Sequence, residues 1–429
     1  MKSRSDPLHR LIQTLLLVGP GIFCVGYTIG TGTVTKLTTV GSQFGMQLLW
    51  VLLLSGLFSW VLMEAYGRYA VVTGETAMHG FRTQLSGGRW LAILTLMGIV
   101  ISQLTGLPVL VGQVSNLTYD SLRLFIPSIP EQSYGVVIAI AVAILGTTYS
   151  LLLVGRYSFF EKAMAVLVTL MSIGFAVSMF VVLPPPGQIA RGLVPSIPDV
   201  DGGKLLVLAF GGITMAAPTF IVRPLLMKGK GWGSKNCREQ SRDALVSAIV
   251  MIVMIVISAS IMACVAGALF HQGKSVQSIH DLISLLEPVT GRFVVALFLV
   301  GTLSAGLSSI VPMAMILPLL IADYRAGELQ IRTSTSRILT AVACLAGLAG
   351  PVFGERLLTT HRIASQVAQV FVLPLAAGGI FFLLNRKDLM REHRAGFWMN
   401  TGLVAAFGLS LMLSYRGLNS LARRFAGGP

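Results

Sequence analysis

Between residues 11 and 415 the chain presents eleven stretches without a single Asp, Glu, Lys or Arg: 11–35, 37–63, 90–119, 132–155, 163–190, 205–222, 244–270, 293–322, 338–354, 363–385 and 395–415. Most reach the roughly 20 apolar residues that a helix needs to cross the hydrocarbon core of a bilayer. Two are short: 338–354 has 17 residues, and 205–222 has 18 and is interrupted by Gly211, Gly212 and Pro218. Lipid offers no partner to an open backbone amide, so such runs read as helices and not as loops or strands. The expectation is an all-α polytopic membrane protein with about eleven transmembrane helices. Composition agrees: 54% of the residues are hydrophobic and 11% charged, against roughly 25% charged in a soluble domain. A cytosolic enzyme is excluded on that ground.

The net charge of +15 belongs to orientation. With the amino terminus in the cytoplasm, inside segments hold 20 of the 32 basic residues and outside segments 11, while Arg223 falls in or just past the sixth window. The segment 228–242 gives the strongest vote, with five basic residues and one acid. Basic residues collect in cytoplasmic loops, so the bias predicts N-terminus inside and C-terminus outside. Charges spread over many short loops make no nucleic-acid footprint. The first window lacks a small-residue cleavage site and reads as the first span, not a signal peptide. Small loops fit a bacterial inner (plasma) membrane. Cys24, Cys237, Cys264 and Cys344 are isolated, and the six histidines are expected in loops and scattered, so no zinc site and no cofactor are predicted. The string Leu85 to Arg89 resembles an ATPase signature, but no phosphate-cradling loop accompanies it.

Two spans are flawed in the same way. Gly26 to Thr33 places three glycines and three threonines in the first window, and Gly211 to Pro218 interrupts the sixth. Glycine costs a helix roughly 1 kcal/mol relative to alanine, and proline removes a donor. Five spans per half is an odd number, so spans one to five (11–190) and six to ten (203–385) form an inverted repeat within one transmembrane domain, 1–429, and 395–415 adds an extra helix. Matched broken helices in inverted halves mark a transporter site at the bilayer midplane. Close packing between small residues is the competing explanation.

The stretch Gly19-Pro20-Gly21 with residues 26–55, together with FLVGTLSAGLSS (298–309), RTSTSR (332–337), SQVAQVFVLPL (365–375) and NRKDLM (385–390), resembles the Nramp (natural resistance-associated macrophage protein) divalent-metal transporters over nearly the whole chain. The resemblance implies the LeuT-type fold, a 5+5 inverted repeat with broken helices 1 and 6, and alternating access. It also marks departures. The family's Asp-Pro-Gly-Asn motif falls on Ile29-Gly30-Thr31-Gly32, without either side-chain ligand, and its Met-Pro-His-Asn motif on Met215-Ala216-Ala217-Pro218, which keeps only the sulfur. The acidic pair of its third helix falls on Gln103 and Gly106, and the glutamine of its eighth on Leu307, beside Ser308.

The expected substrate site is therefore Thr28, Ile29, Gly30, Thr31, Gly32 and Thr33 with Gly212, Thr214 and Met215, the last as a metal ligand, and a pathway past Gln103, Ser308 and Arg223. Hard divalent cations want charged oxygens, and these residues offer hydroxyls, carbonyls and one thioether. A largely hydrated ion suits them, and so do the half-helix ends that bind carboxylates. Lys36 and Arg223 add positive potential, which disfavours cations, although basic side chains near span ends also snorkel. Glu64 is expected at the inner end of span two, in an i, i+4 pair with Arg68. All 17 acids are expected in loops or at span ends, so proton coupling of the usual kind is not predicted. The functional expectation is a secondary transporter of a Mn-, Mg- or Fe-like divalent ion. The alternatives are a carrier of a small organic or anionic solute, amino-acid-like, or a non-transporting sensor. Partners are the lipid bilayer and the small substrate, with the protein a monomer or homodimer.

Overall fold

The structure is a computed structural model and describes residues 19–425 apart from 127, 131–132, 155–156, 183–185, 200–202, 271–290 and 330–331. The start of the first window (11–18), Lys2, Arg4, Arg10, Arg156, His9, His271 and His280 lie outside the described residues, as do 183–185 of the fifth window. The described residues are helical and contain no strand. In chain order the helices are α1 (Pro20–Thr28), α2 (Thr31–Phe44), α3 (Leu49–Thr73), α4 (Ala77–Gln84), α5 (Gly88–Phe125), α6 (Tyr134–Leu153), α7 (Tyr157–Val182) and α8 (Pro186–Gly192). They continue with α9 (Gly203–Gly211), α10 (Ala217–Gly229), α11 (Cys237–Phe270), α12 (Arg292–Ala326), α13 (Ser334–Gly347), α14 (Ala349–Asn385) and α15 (Phe397–Phe425).

Nine helical stretches among the described residues are long and apolar enough to cross a bilayer, one of them, Ser334–Gly354, running from α13 into the start of α14. The pairs α1/α2 and α9/α10 supply the remaining two crossings as broken helices, each half being too short alone. Around them α5 runs along α14, α7 along α12, and α11 along α3. Every residue of α1 is buried. That places the first break at the centre of the bundle.

Three expectations need correction. The second crossing is Leu49–Thr73, not 37–63, because the first helix resumes after its break and continues to Phe44. The turn between them passes through Gly45 at φ +57°, a conformation that suits glycine. Lys36 thus lies inside a helix. Glu64 likewise sits within α3 and not at its end, 3% exposed, and Arg68 pairs with it at 2.8 Å as its i, i+4 spacing requires. Gln240 Nε2 and Ser241 Oγ also donate to it, at 3.0 and 2.8 Å. Finally, His79 and His361 lie in α4 and α14, not in loops. The Leu85 to Arg89 string forms the turn into α5, with Gly87 at φ +69°.

Candidate substrate site at the two helix breaks

The first break is narrow. Helix α1 ends at Thr28, Ile29 caps it with φ −96° and ψ 80°, and α2 begins at Thr31. Thr33 Oγ1 donates across the gap to the Thr28 carbonyl at 2.8 Å. On the α12 side, Ser309 Oγ donates to the Gly26 carbonyl at 2.7 Å and contacts that of Tyr27 at 3.2 Å. Ser308 Oγ reaches the Gly26 carbonyl at 3.3 Å and its own Ala305 carbonyl at 2.9 Å. The glycines serve both explanations offered above. A Cβ on Gly30 would stand 2.6 Å from Ser309 Oγ, so close approach is real, and it is this approach that lets α12 serve the freed carbonyls.

The second break is wider. Helix α9 stops at Gly211, and α10 restarts at Ala217 with Pro218 in its first turn, where a missing N–H costs nothing. Between them Thr214 is fastened to α3. Its hydroxyl lies 2.7 Å from Ser55 Oγ and 2.8 Å from Ser59 Oγ, its N–H donates to Ser55 Oγ at 3.1 Å, and its carbonyl accepts from Ser59 at 2.9 Å.

Between the breaks lies a cavity of about 410 Å³. The first helix lines it with Tyr27, Thr28, Gly30, Gly32, Thr33 and Lys36, and the second break with Ile213 and Ala216. Helix α5 contributes Gly106, Val109, Leu110 and Gln113, and α12 contributes Ser309 and Met313. Helix α14 adds Arg362, Ser365, Gln366 and Gln369. Thr28 is 6% exposed, and its hydroxyl has no hydrogen-bond partner among the described residues.

The structure brings Thr28, Gly30, Gly32 and Thr33 together on the cavity wall. Ile29, Thr31, Gly212, Thr214 and Met215 lie off that wall. Ile29 and Thr31 are buried, Thr214 is turned to α3, and Met215 is 5% exposed within the apolar core. Gln103 stands one layer back, its Nε2 donating to the Tyr27 hydroxyl at 2.9 Å, and Ser308 faces Gly26. Arg223 is off the wall as well. It is fully buried in α10 and paired with Asp243 of α11 at 2.7 Å, while Asp243 also accepts the Gly21 N–H at 3.2 Å. Snorkelling is therefore not its role. Asp243 stands one residue before the seventh window, and its pairing with Arg223 joins two helices, so periodicity along one helix carries no sign of it.

Arg362, Gln113, Gln366 and Gln369 are absent from the expected site, and Lys36 enters it only as a source of positive potential. The spacing Ser365, Gln366, Gln369 within α14 placed three polar groups on one side of an apolar span, and that was the available signal.

The lining contains two cations and no carboxylate. No cluster of three His, Cys, Asp or Glu exists among the described residues. At an effective dielectric of about 20, a divalent cation roughly 8 Å from one unit positive charge is opposed by about 4 kcal/mol. The wall offers hydroxyl and amide oxygens, which suit a hydrated ion or a polar solute better than a dehydrated metal.

The profile of the family described as Natural resistance-associated macrophage protein-like (Nramp) matches residues 21–420. The divalent metal cation transporter MntH of Brucella suis biovar 1 (strain 1330) is 26% identical over 401 residues, covering 90% of this chain and 84% of its own. The MntH of Bradyrhizobium diazoefficiens is 25% identical over 423 residues, covering 93% and 89%. Among solved structures, a mutant of the Eremococcus coleocola manganese transporter superposes with a TM-score of 0.76 at 17% identity, over 98% of this chain and 89% of that one. The fold is thus the LeuT-type arrangement that the paired breaks announce. By its nearly full-length profile match, the chain belongs to the Nramp-like family of integral membrane proteins.

Proposed function

We propose that the protein is a secondary transporter that moves a divalent metal ion across the bacterial inner membrane by alternating access. Membership of the Nramp-like family carries this reading, since relatives named as divalent metal cation transporters align over 84–89% of their own length. The amino terminus is inside and the carboxyl terminus outside, in keeping with the basic bias of the segments. In that orientation the cavity, with Lys36 and Arg362 exposed at its rim, faces outward. The substrate contacts are the broken segments 28–33 and 212–215, with Thr28 the first hydroxyl offered. Met215 is the soft ligand of the second break, and its sulfur reaches the ion when that break turns toward the cavity, whose wall already carries the Met313 thioether. One chain encloses the whole cavity, so the transport unit is a single copy whether the protein is a monomer or a homodimer.

Coupling to protons is not part of the proposal. The buried carboxylates are committed elsewhere: Glu64 to Arg68, Gln240 and Ser241, Asp243 to Arg223, and Asp323 to the Met78 N–H. None lines the cavity. Among the described residues no acid lines the cavity to act there as a relay or a general acid, and catalysis forms no part of the proposed function.

The test is uptake of Mn²⁺ and Mg²⁺ into proteoliposomes, with lumenal pH followed in parallel. A Cβ on Gly32 would meet only Gln113 Oε1, at 3.8 Å. Gly32→Leu is therefore expected to fold and to fill the cavity, abolishing uptake. Met215→Ala is expected to lower uptake per folded molecule. Uptake indifferent to Gly32→Leu removes the site, and substrate-driven acidification removes the uncoupled mechanism.

A further inference from the structure

The rim of the cavity carries a charge that a bare metal ion does not want. Lys36 of α2 and Arg362 of α14 line the same space. Neither has a carboxylate partner among the described residues, in contrast to the fully buried Arg223, which is paired with Asp243. Two solvent-exposed cations from different halves of the bundle, converging on one cavity without a carboxylate in its lining, give the entrance a positive potential that draws an anion. Deeper in, the Thr28 hydroxyl is more than nine-tenths buried on the cavity wall and lacks a partner, so it is free to donate to an oxygen of the cargo. Gln113, Gln366 and Gln369 add amide donors to the same wall. The space of about 410 Å³ exceeds the roughly 180 Å³ taken by six waters at about 30 Å³ each, so it is larger than one hydrated ion requires.

We propose that Lys36 and Arg362 form a carboxylate-binding subsite, and that the metal enters as a complex with a polycarboxylate whose net charge is negative. The proposal rests on the metal-transport reading and refines its substrate class. A polycarboxylate supplies the oxygen ligands that the wall lacks, so the ion arrives already coordinated and the protein recognises the surplus negative charge. That division of labour also explains why a cavity without a carboxylate serves a metal.

Citrate is a suitable probe, because it chelates divalent ions and leaves negative charge over. The measurement is uptake into proteoliposomes of radiolabelled Mn²⁺ with and without citrate, and of labelled citrate with and without Mn²⁺. The variants are Lys36→Gln, Arg362→Gln and Lys36→Arg, each checked for a normal melting temperature. Citrate is expected to raise Mn²⁺ uptake by about tenfold at equal total metal, with labelled citrate entering alongside. Lys36→Gln and Arg362→Gln are expected to lose that stimulation, and Lys36→Arg to keep it. A rise in melting temperature with citrate, absent in Lys36→Gln, checks binding apart from transport. Uptake of Mn²⁺ that citrate does not raise, and that Lys36→Gln leaves unchanged, overturns the subsite and leaves the metal transporter standing. Citrate entering alone through Lys36 upholds the subsite and overturns the metal cargo. Absence of both uptake and a citrate-dependent melting shift overturns both.

Discussion

At the scale of single residues, the energetically exposed feature is the Arg223–Asp243 pair. Both side chains are essentially removed from solvent, and Arg223 Nε and Nη1 have no acceptor among the described residues. Removing one member of a buried pair leaves an uncompensated charge and costs about 3–5 kcal/mol. Asp243→Asn is therefore expected to lower the melting temperature sharply, and the double change Asp243→Leu with Arg223→Met to restore much of the loss; thermal unfolding in detergent checks both. The contrast with Glu64 and Arg68 shows what a sequence discloses. That pair lies four residues apart on one helix, and its geometry follows from helical spacing. Arg223 and Asp243 are separated by a turn between helices, so their meeting depends on packing alone. The same holds for Lys36 and Arg362.

At the scale of elements, the two breaks were legible because clustered glycines and a proline defeat helical propensity whatever surrounds them. Their extents were not. The first proved to be confined to Ile29 and Gly30 because Thr33 and Ser309 take up the carbonyls and allow helix to resume at once. Lys36 caused the largest error in the span boundaries: a charge inside an apolar run reads as its end when every face is assumed to meet lipid. Here that side chain faces the cavity. Packing also decided the fate of Thr214, whose hydroxyl looked available in sequence and is held by Ser55 and Ser59. Those serines fix the second break to α3. A buried hydrogen bond contributes about 1 kcal/mol, so Ser55→Ala with Ser59→Ala, which removes four of them, is expected to destabilise by about 4 kcal/mol and to reduce Mn²⁺ uptake. Melting curves and initial rates on the same preparations check it, and unchanged values for both refute the anchoring role.

At the scale of the whole molecule, access to the breaks is one-sided. Toward α2 and residues 362–366 of α14 the cavity reaches exposed residues; toward the start of α1 the helices are tied together. Asp243 takes the Gly21 N–H, Cys24 Sγ lies 3.8 Å from the Thr219 carbonyl, and Lys230 pairs with Glu161 at 2.7 Å. A cysteine placed at Gln366 is expected to react with a membrane-impermeant maleimide added outside intact cells, whereas native Cys24, fully buried, stays unlabelled. Glu161→Ala frees Lys230 and is expected to reduce labelling at position 366 by shifting molecules toward the inward-open form. Labelling only from the cytoplasmic face would invert the assigned orientation. The number of crossings and the pairing of broken helices could be read from the chain because lipid imposes them. The sidedness of access could not, since it depends on which of two packings the ties favour.

The two cations at the cavity rim have an electrical consequence. A carrier whose empty site holds two fixed positive charges feels the membrane voltage even without cargo. Moving one elementary charge through the full field is worth about 2.3 kcal/mol per 100 mV. In a membrane that is negative inside, the empty form is drawn toward the inward-facing state, and a cargo that cancels the rim charge makes the loaded step nearly silent. Voltage then acts on the return of the empty carrier, so depolarisation is felt as faster resetting and not as weaker binding.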